Sequence, residues 1–404
     1  MSASKGPRVV ISGIGVISSI GTGVTAYLDA LLRGVNGSSD VQAFDTGKFP
    51  SRVGCEVRDF NPELWIKKMS PGKLGRSSQM AIAATRLALA DSGISQELLL
   101  QTRCDVVMGT TDGESALFDQ FTEAWVKRPD DPPELLPRLL TAEAIADAVQ
   151  AEFDLTGDTA VLATACSAGN YAIGYAFDKI QNGIVDIAIC GGSDSQCLKN
   201  FGGFHRIGAL APEKCQPFDY GRKGILPGEG AGVLILESLE RAEARKAKVY
   251  AEVLGYGASC DGHHIMSPNM DGIVACNIDA LARSEISPGE VDYICAHGTA
   301  TASNDVVETS AMREVFGAHL PPMSSIKSML GHTMGAASAL SAIGCALALK
   351  HGFMPPTIHF SQPDPECDID CVANHSRMAP LRIVQNNAFA FGGNNSIVIM
   401  KQYG

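Results

Sequence analysis

The sequence predicts an α/β fold built from two related halves. Short β-branched runs alternate with Ala-rich segments along the 404 residues, the pattern of strands covered by helices. Glycine is abundant at 42 residues, as a chain with many tight strand-to-helix turns requires. One local pattern also recurs. Thr164-Ala165-Cys166-Ser167-Ala168-Gly169 and Leu330-Gly331-His332-Thr333-Met334-Gly335 each place a reactive side chain before a helix of small residues. The halves are expected at 1–245 and 246–404, joined near residues 238–250.

The elements follow in order. Val9 to Ile17 reads as a strand entering the turn Gly21-Thr-Gly23. Arg8 and the apolar run after it have the outline of an export signal, but glycines interrupt the run and no convincing cleavage box follows. Ser78 to Asp91 reads as a helix stopped near Gly93. Asp105 to Met108 is strand-like, and Ala160 to Thr164 is a buried strand leading into a helix from Ser167 to Gln181. Asp186 to Cys190 is the next strand, with Gly191-Gly192 behind it; a loop rich in Gly and Pro, 202–230, then precedes a strand from Gly232 to Glu237. Glu240 to Lys248 is a solvated helix face. In the second half Val253 to Gly257, Tyr293 to Ala296 and Ile397 to Met400 read as strands. Residues 333–349 carry no charge, yet at 17 residues rich in Ala, Gly and Ser they suit a packed interior helix better than a membrane span.

Composition excludes several classes. Hydrophobic residues at 45% and charged residues at 19% rule out a disordered or fibrous chain. Lys and Arg total 32 against 44 Asp and Glu, a formal charge of −12, which argues against nucleic-acid and anionic-membrane partners. The 12 cysteines contain no CxxC pair. Cys367, Cys371 and His375 come nearest to a metal cluster, but no second ligand pair follows, so no metal is expected. Cys190, Cys295 and Cys345 lie in apolar runs and read as buried small hydrophobes of a reducing, cytoplasmic protein.

Candidate chemistry begins at Cys166. The small residues around it permit a sharp turn with the sulfur at its tip, and the amides of the following helix favour a thiolate, which predicts a lowered thiol pKa. On local context alone a nucleophile and one more buried cysteine are equally good readings. His297, in Cys295-Ala-His-Gly-Thr-Ala-Thr301, and His332 both stand where an element ends and a turn begins. His205, His263, His264, His319, His351, His359 and His375 lack that setting.

Thr164-Ala-Cys166-Ser, His297-Gly-Thr, Lys327-Ser-Met-Leu-Gly-His332 and Phe389-Ala-Phe-Gly-Gly-Asn394-Asn395 occur in the order in which similar signatures occur in elongating β-ketoacyl-[acyl-carrier-protein] synthases. The chain resembles that family over nearly its whole length. The resemblance implies a thiolase fold, layered α-β-α-β-α, in a dimer. It implies that Cys166 accepts an acyl group, that neutral His297 and His332 hold the thioester carbonyl of a malonyl extender, and that Lys327 orients the histidine. It makes Phe391 a gate whose amide, with that of Cys166, forms an oxyanion site, while Gly392 and Gly393 let the gate swing. No cofactor is bound, since substrates ride on the phosphopantetheine arm of an acyl carrier protein. An acidic synthase facing an acidic carrier needs a basic dock, for which Lys67, Lys68, Lys73, Arg76 and Arg206 are candidates.

Some segments depart from the housekeeping pattern. Asp112, in Gly109-Thr-Thr-Asp112-Gly-Glu114, is expected near the acyl pocket with Phe389, where a carboxylate is costly unless paired. Residues 127–145 are shorter and more charged than in fatty-acid relatives, and this region is expected to line the dimer contact. Gly392-Gly-Asn-Asn, Asn304-Asp305 to Glu308 and Pro365 to Asp370 also differ, the last two resembling polyketide ketosynthase subunits. The resemblance therefore favours a type II polyketide, polyene or unusual fatty-acyl system, as a homodimer or paired with a chain-length-factor homologue. Housekeeping fatty-acid elongation is the alternative. A non-catalytic scaffold would lack Cys166, and a priming synthase or thiolase would not carry His332 in this setting.

Overall fold

The computed structural model describes residues 6–131 and 141–404. Two series of five strands organise it. The first is β1 (Val9–Ser18), β2 (Cys104–Gly109), β3 (Thr159–Leu162), β4 (Ile187–Asp194) and β5 (Gly230–Ser238). The second is β6 (Ala251–Cys260), β7 (Tyr293–Cys295), β8 (Met323–Ser324), β9 (Ile383–Ala388) and β10 (Asn394–Gln402). They pair in the order β8-β7-β9-β10-β6-β1-β5-β4-β2-β3, with Gly21–Thr22 folding back onto β1.

Read outward from the middle, each series runs first, fifth, fourth, second, third. In each, the inner two pairings are antiparallel and the outer two parallel. The duplication suggested by the paired motifs is thus written in the strand order. Among the described residues the two series join by strand pairing at Val9–Ile11 against Ala251–Val253.

Helices complete five layers. α1 (Arg76–Ser92) and α3 (Ala144–Phe153) cover the outer face of the first series; α6 (Met270–Arg283), with α7 (Ala302–Phe316) packed on it, covers the second. Between the sheets lie α4 (Ala168–Gln181) and α8 (Ala337–His351), in contact with each other and with both series. Every residue of α8 from Ala337 to Leu349 is buried, so it needs no polar face. The three largest apolar cores among the described residues follow from this layering, one between the sheets and one beneath each outer helix layer. The run Met334–His351 has the length and hydropathy of a membrane span but is almost wholly enclosed in the molecule.

Several expectations are revised. The strand at 160–164 is not fully buried: β3 is an edge strand, half-exposed along its length. Gly191-Gly192 lie inside β4 rather than behind it, because a Cβ on Gly192 would stand 2.7 Å from the Gly335 carbonyl. The interior helix begins at Ala337 after a 3₁₀ turn at Met334–Ala336. Strand β9 and helices α3, α6 and α7 had no clear sequence signal, and neither did α2 (Ser115–Lys127), a helix with no buried residue.

The tightest approach in the core is between the two central helices. A Cβ on Gly169 would lie 2.6 Å from the backbone nitrogen of Ala339. Gly169→Ala should therefore overpack the interface and lower stability by about 1–3 kcal/mol, read as a lower urea midpoint. An unchanged midpoint would show that the helices have room to part.

Candidate active site

Strand β3 ends at Leu162, and the chain turns through Ala165, whose φ of 53° is in the left-handed region, before a 3₁₀ turn at Ala165–Ser167 starts α4. A Cβ on Gly109 would stand 2.4 Å from the carbonyl carbon of Ala168, so only glycine at the end of β2 lets the turn seat there. The Ser167 hydroxyl closes the turn onto the Thr164 carbonyl at 2.9 Å.

The second elbow repeats this geometry. Met334 has φ 51°, a 3₁₀ turn runs from Met334 to Ala336, and α8 follows. The backbone match pairs Met334 with Ala165, so the counterpart of Cys166 is Gly335 rather than His332. His332 stands three residues earlier, where its own amide donates to the Leu226 carbonyl at 2.7 Å.

The two elbows touch, and they converge with a third segment. His297 follows β7, with its amide and that of Gly298 each 2.8 Å from the Glu308 carboxylate. Asp305 accepts from the amides of Phe218, Thr299 and Ala300 at 2.8–3.2 Å. The Lys327 ammonium donates to the His297 carbonyl at 2.6 Å. The imidazoles of His297 and His332 meet edge to face with centroids 5.6 Å apart, and Phe389 stands 5.7 Å from His297. Cys166, His297, His332, Phe389 and Phe391 all line one cavity of about 410 Å³.

The electrostatics are those of a dry site. Burial, reinforced by the Lys327 charge, holds both imidazoles well below the ordinary histidine value, so both are neutral near pH 7. The Met334 amide donates to Nδ1 of His332 at 3.1 Å, so neutral His332 carries its proton on Nε2. Burial also lowers the Lys327 pKa, opposed by the neighbouring thiols and Glu308. The thiol does not behave as its place before a helix suggested. Burial pushes Cys166 up to about 12, against the pull of Lys327 and the Phe391 amide.

Comparison with known proteins decides the family. The chain matches Beta-ketoacyl synthase, N-terminal domain, over residues 7–242 and Beta-ketoacyl synthase, C-terminal domain, over 250–361. It belongs to the β-ketoacyl synthase family. It is 36% identical over 409 residues to 3-oxoacyl-[acyl-carrier-protein] synthase 2 of Coxiella burnetii, covering 98% of each chain. Its identity to the enzyme of the same name from Synechocystis is 35% over 408 residues, again 98% of each. Among solved structures it resembles the ishigamide ketosynthase/chain length factor, with TM-score 0.96 and 46% identity over 99% of this chain and 100% of that one. A type II polyketide acyl carrier protein in complex with its ketosynthase gives TM-score 0.87 and 28% identity, over 99% of this chain and 100% of that one. The fold is the thiolase fold of these synthases, and the protein is a ketosynthase, an acyltransferase of the condensing kind.

Other predicted positions of this synthase fall less simply. Phe391, about two-fifths exposed, packs 5.9 Å from Phe204 at the cavity mouth, and Gly392 and Gly393 both have φ 82°. Asp112 does not line the cavity; it pairs with Lys199 and Asn200, which offsets its burial. Arg76 is no free docking residue, because Glu229 holds its guanidinium in a two-pronged ion pair. Lys68 pairs with Asp154, Lys67 caps the Glu63 carbonyl, and Lys73 is exposed; none lines the mouth. Arg206 ends α5 (Leu198–Arg206) beside the lining residues Phe204 and Ile207. The segment 127–145 lies partly outside the described residues. Cys367 and Cys371 are buried while His375 is exposed, and among the described residues no three ligating side chains are grouped for a metal.

Sequence reading missed the staples. Glu308 and Asp305 were noted only as a family variation, although two acids one helical turn apart after a Gly-Thr-Ala-Thr loop are placed to cap that loop's amides. Lys223, exposed and lining the mouth, had no motif to reveal it.

Neutral imidazoles predict a titration that can be followed directly. In ¹³C-histidine NMR the His297 and His332 signals should hold still from about pH 8 to 6, whereas free histidine titrates near 6.5. Movement of either signal with an ordinary midpoint would contradict the burial effect.

Proposed function

We propose that this chain is the catalytic ketosynthase of a type II polyketide or polyene pathway, working in the cytoplasm with an acyl carrier protein and a chain-length-factor homologue. The carrying observation is the convergence of one thiol and two neutral imidazoles on a single cavity. Its halves, 1–245 and 246–404, would contribute the nucleophile and the histidines respectively.

The acyl group passes from the carrier thioester to Cys166: a new carbon–sulfur bond forms, the old one breaks, and the thiol proton leaves on the pantetheine sulfur. Malonyl then enters past Phe391. Loss of CO₂ leaves an enolate whose oxygen takes hydrogen bonds from His297 and from Nε2–H of His332. The enolate carbon attacks the acyl carbonyl, the amides of Cys166 and Phe391 hold the oxyanion, and collapse breaks the acyl carbon–sulfur bond; the β-ketoacyl product leaves on its carrier and the released Cys166 thiolate takes up a proton from solvent. Lys327 acts through its hold on the His297 carbonyl and its positive charge.

The specialised pathway is supported by the 46% identity to the ishigamide ketosynthase/chain length factor, against 36% to a fatty-acid-type relative. A partner is supported by two surfaces, the open edge of β3 and the unburied helix α2, which exposes Phe118, Trp125 and Val126.

Incubation with acyl-carrier protein should add the acyl mass to the wild-type chain and none to Cys166→Ala, by intact-protein mass spectrometry; an equal gain on both would remove Cys166 as the acceptor. Charge reversal at Arg206 and Lys223 should raise KM for carrier-bound malonyl roughly tenfold at low salt, and more than reversal at Lys67 and Lys68. The opposite ranking would return the dock to the earlier cluster. Co-expression with a chain-length-factor homologue should give a stable heterodimer, whereas an active homodimer making only saturated acyl chains would favour fatty-acid elongation.

A further inference from the structure

We propose that Asp194 is a positioning residue for the extender half of the reaction, because it holds the turn that fixes the tautomer of His332. The proposal rests on the ketosynthase reading above and assigns a role to a buried acid that the mechanism leaves unused.

Asp194 ends β4 and is fully buried. One carboxylate oxygen accepts from the Thr110 hydroxyl at 2.6 Å and the Asp112 amide at 3.1 Å. The other accepts from the Thr111 amide at 2.9 Å and the Gly335 amide at 2.6 Å. The Gly335 bond crosses from the first half of the chain to the second elbow. Its neighbour Met334 sits at φ 51°, a costly conformation for a non-glycine residue unless its surroundings hold it. The Met334 amide is the donor that occupies Nδ1 of His332 and leaves Nε2–H facing the extender. The chain of cause runs from the Asp194 carboxylate to the Gly335 amide, to the Met334 conformation and to the His332 tautomer.

Glycine geometry explains why the hold is stiff. A Cβ on Gly335 would fall 2.5 Å from the Thr110 carbonyl carbon, and one on Gly192 2.7 Å from the Gly335 carbonyl. The turn is clamped between the ends of β2 and β4, with Asp194 as its polar centre. Asparagine cannot replace the carboxylate, since its amide nitrogen would face hydrogen-bond donors on whichever side it turned.

The test compares tautomer and half-reactions in Asp194→Asn. ¹⁵N-histidine NMR of the wild type should give one His332 tautomer, protonated at Nε2; the variant should give a mixture. Malonyl-carrier decarboxylation should fall about ten- to a hundredfold, while acyl transfer to Cys166 should not fall, since negative charge at Asp194 holds the thiol pKa up and its removal favours the thiolate. Should Asp194→Asn fail to fold, Thr110→Val removes one donor to the same carboxylate and should show the same pattern more weakly, with Thr110→Ser restoring the wild-type values. A single retained tautomer, or equal losses in both half-reactions, would overturn the proposal. A wild type that neither acylates nor decarboxylates would defeat the ketosynthase reading instead, and the tautomer comparison would still decide the role of Asp194.

Discussion

The site depends on one steric constraint, that four backbones approach where no Cβ fits. Gly109 lets the end of β2 seat the first elbow, Gly192 and Gly335 lock the second between β4 and Thr110, and Gly169 brings α4 against α8. None of these glycines touches substrate in the mechanism. Together they set how far the Cys166 turn lies from the His332 turn, and a single added methyl would force one strand or helix to move. Both elbows are seated on glycines of the first series, Gly109 at the end of β2 and Gly192 inside β4. Symmetry of the halves appears in the matched backbone turns of the elbows, while chemistry breaks the symmetry: the position that holds a thiol in one elbow holds a glycine in the other.

That close packing also removes water, and desolvation then governs the charges. Cys166, His297, His332 and Lys327 are all driven toward their neutral forms by burial. For the imidazoles this is useful, since a neutral ring donates a hydrogen bond without releasing a mobile proton. For the thiol it runs against the influence of the helix that follows, and burial wins. In the proposed mechanism a protonated Cys166 stays inert until a thioester fills the cavity, with Lys327 and the Phe391 amide already placed to favour negative charge on sulfur.

The legible parts were those encoded by local sequence. The β-branched runs at Val9 and Gly232, the uncharged helix after Met334 and the two elbows could be read because one face or none needed to be polar. Strand β9 could not, since Gln385, Asn386 and Asn387 are buried polar residues inside it, whose amide nitrogens donate to Met312, Asn170, Ser338 and Glu308 from elsewhere in the chain. The histidines and Cys166 came from motif spacing, whereas Asp194 did not, because the Gly335 amide it holds lies 141 residues away; Asp305 and Glu308 cap a loop just upstream of them and were legible but overlooked. Arg76 misled for the same reason, because its partner Glu229 lies 153 residues away.

The arrangement of acids around the histidines says what kind of catalysis the site can perform. In a site built for general-base work, a carboxylate bonds to one imidazole nitrogen, orients the ring and makes the other nitrogen a better proton acceptor. Here the acids bind main-chain N–H groups instead. Glu308 holds the His297 and Gly298 amides, Asp194 holds Gly335, and among the described residues no carboxylate is hydrogen-bonded to either ring. His332 receives a backbone N–H at Nδ1, which lowers the basicity of its ring and commits Nε2 to donation. Lys327 nearby adds a positive charge that opposes protonation of both rings. A pair of weakly basic donors is poorly suited to removing a proton and well suited to holding an oxygen on which charge develops. Decarboxylation supplies its own carbanion without any proton being abstracted, so it is the route to a carbon nucleophile that this set of residues can serve.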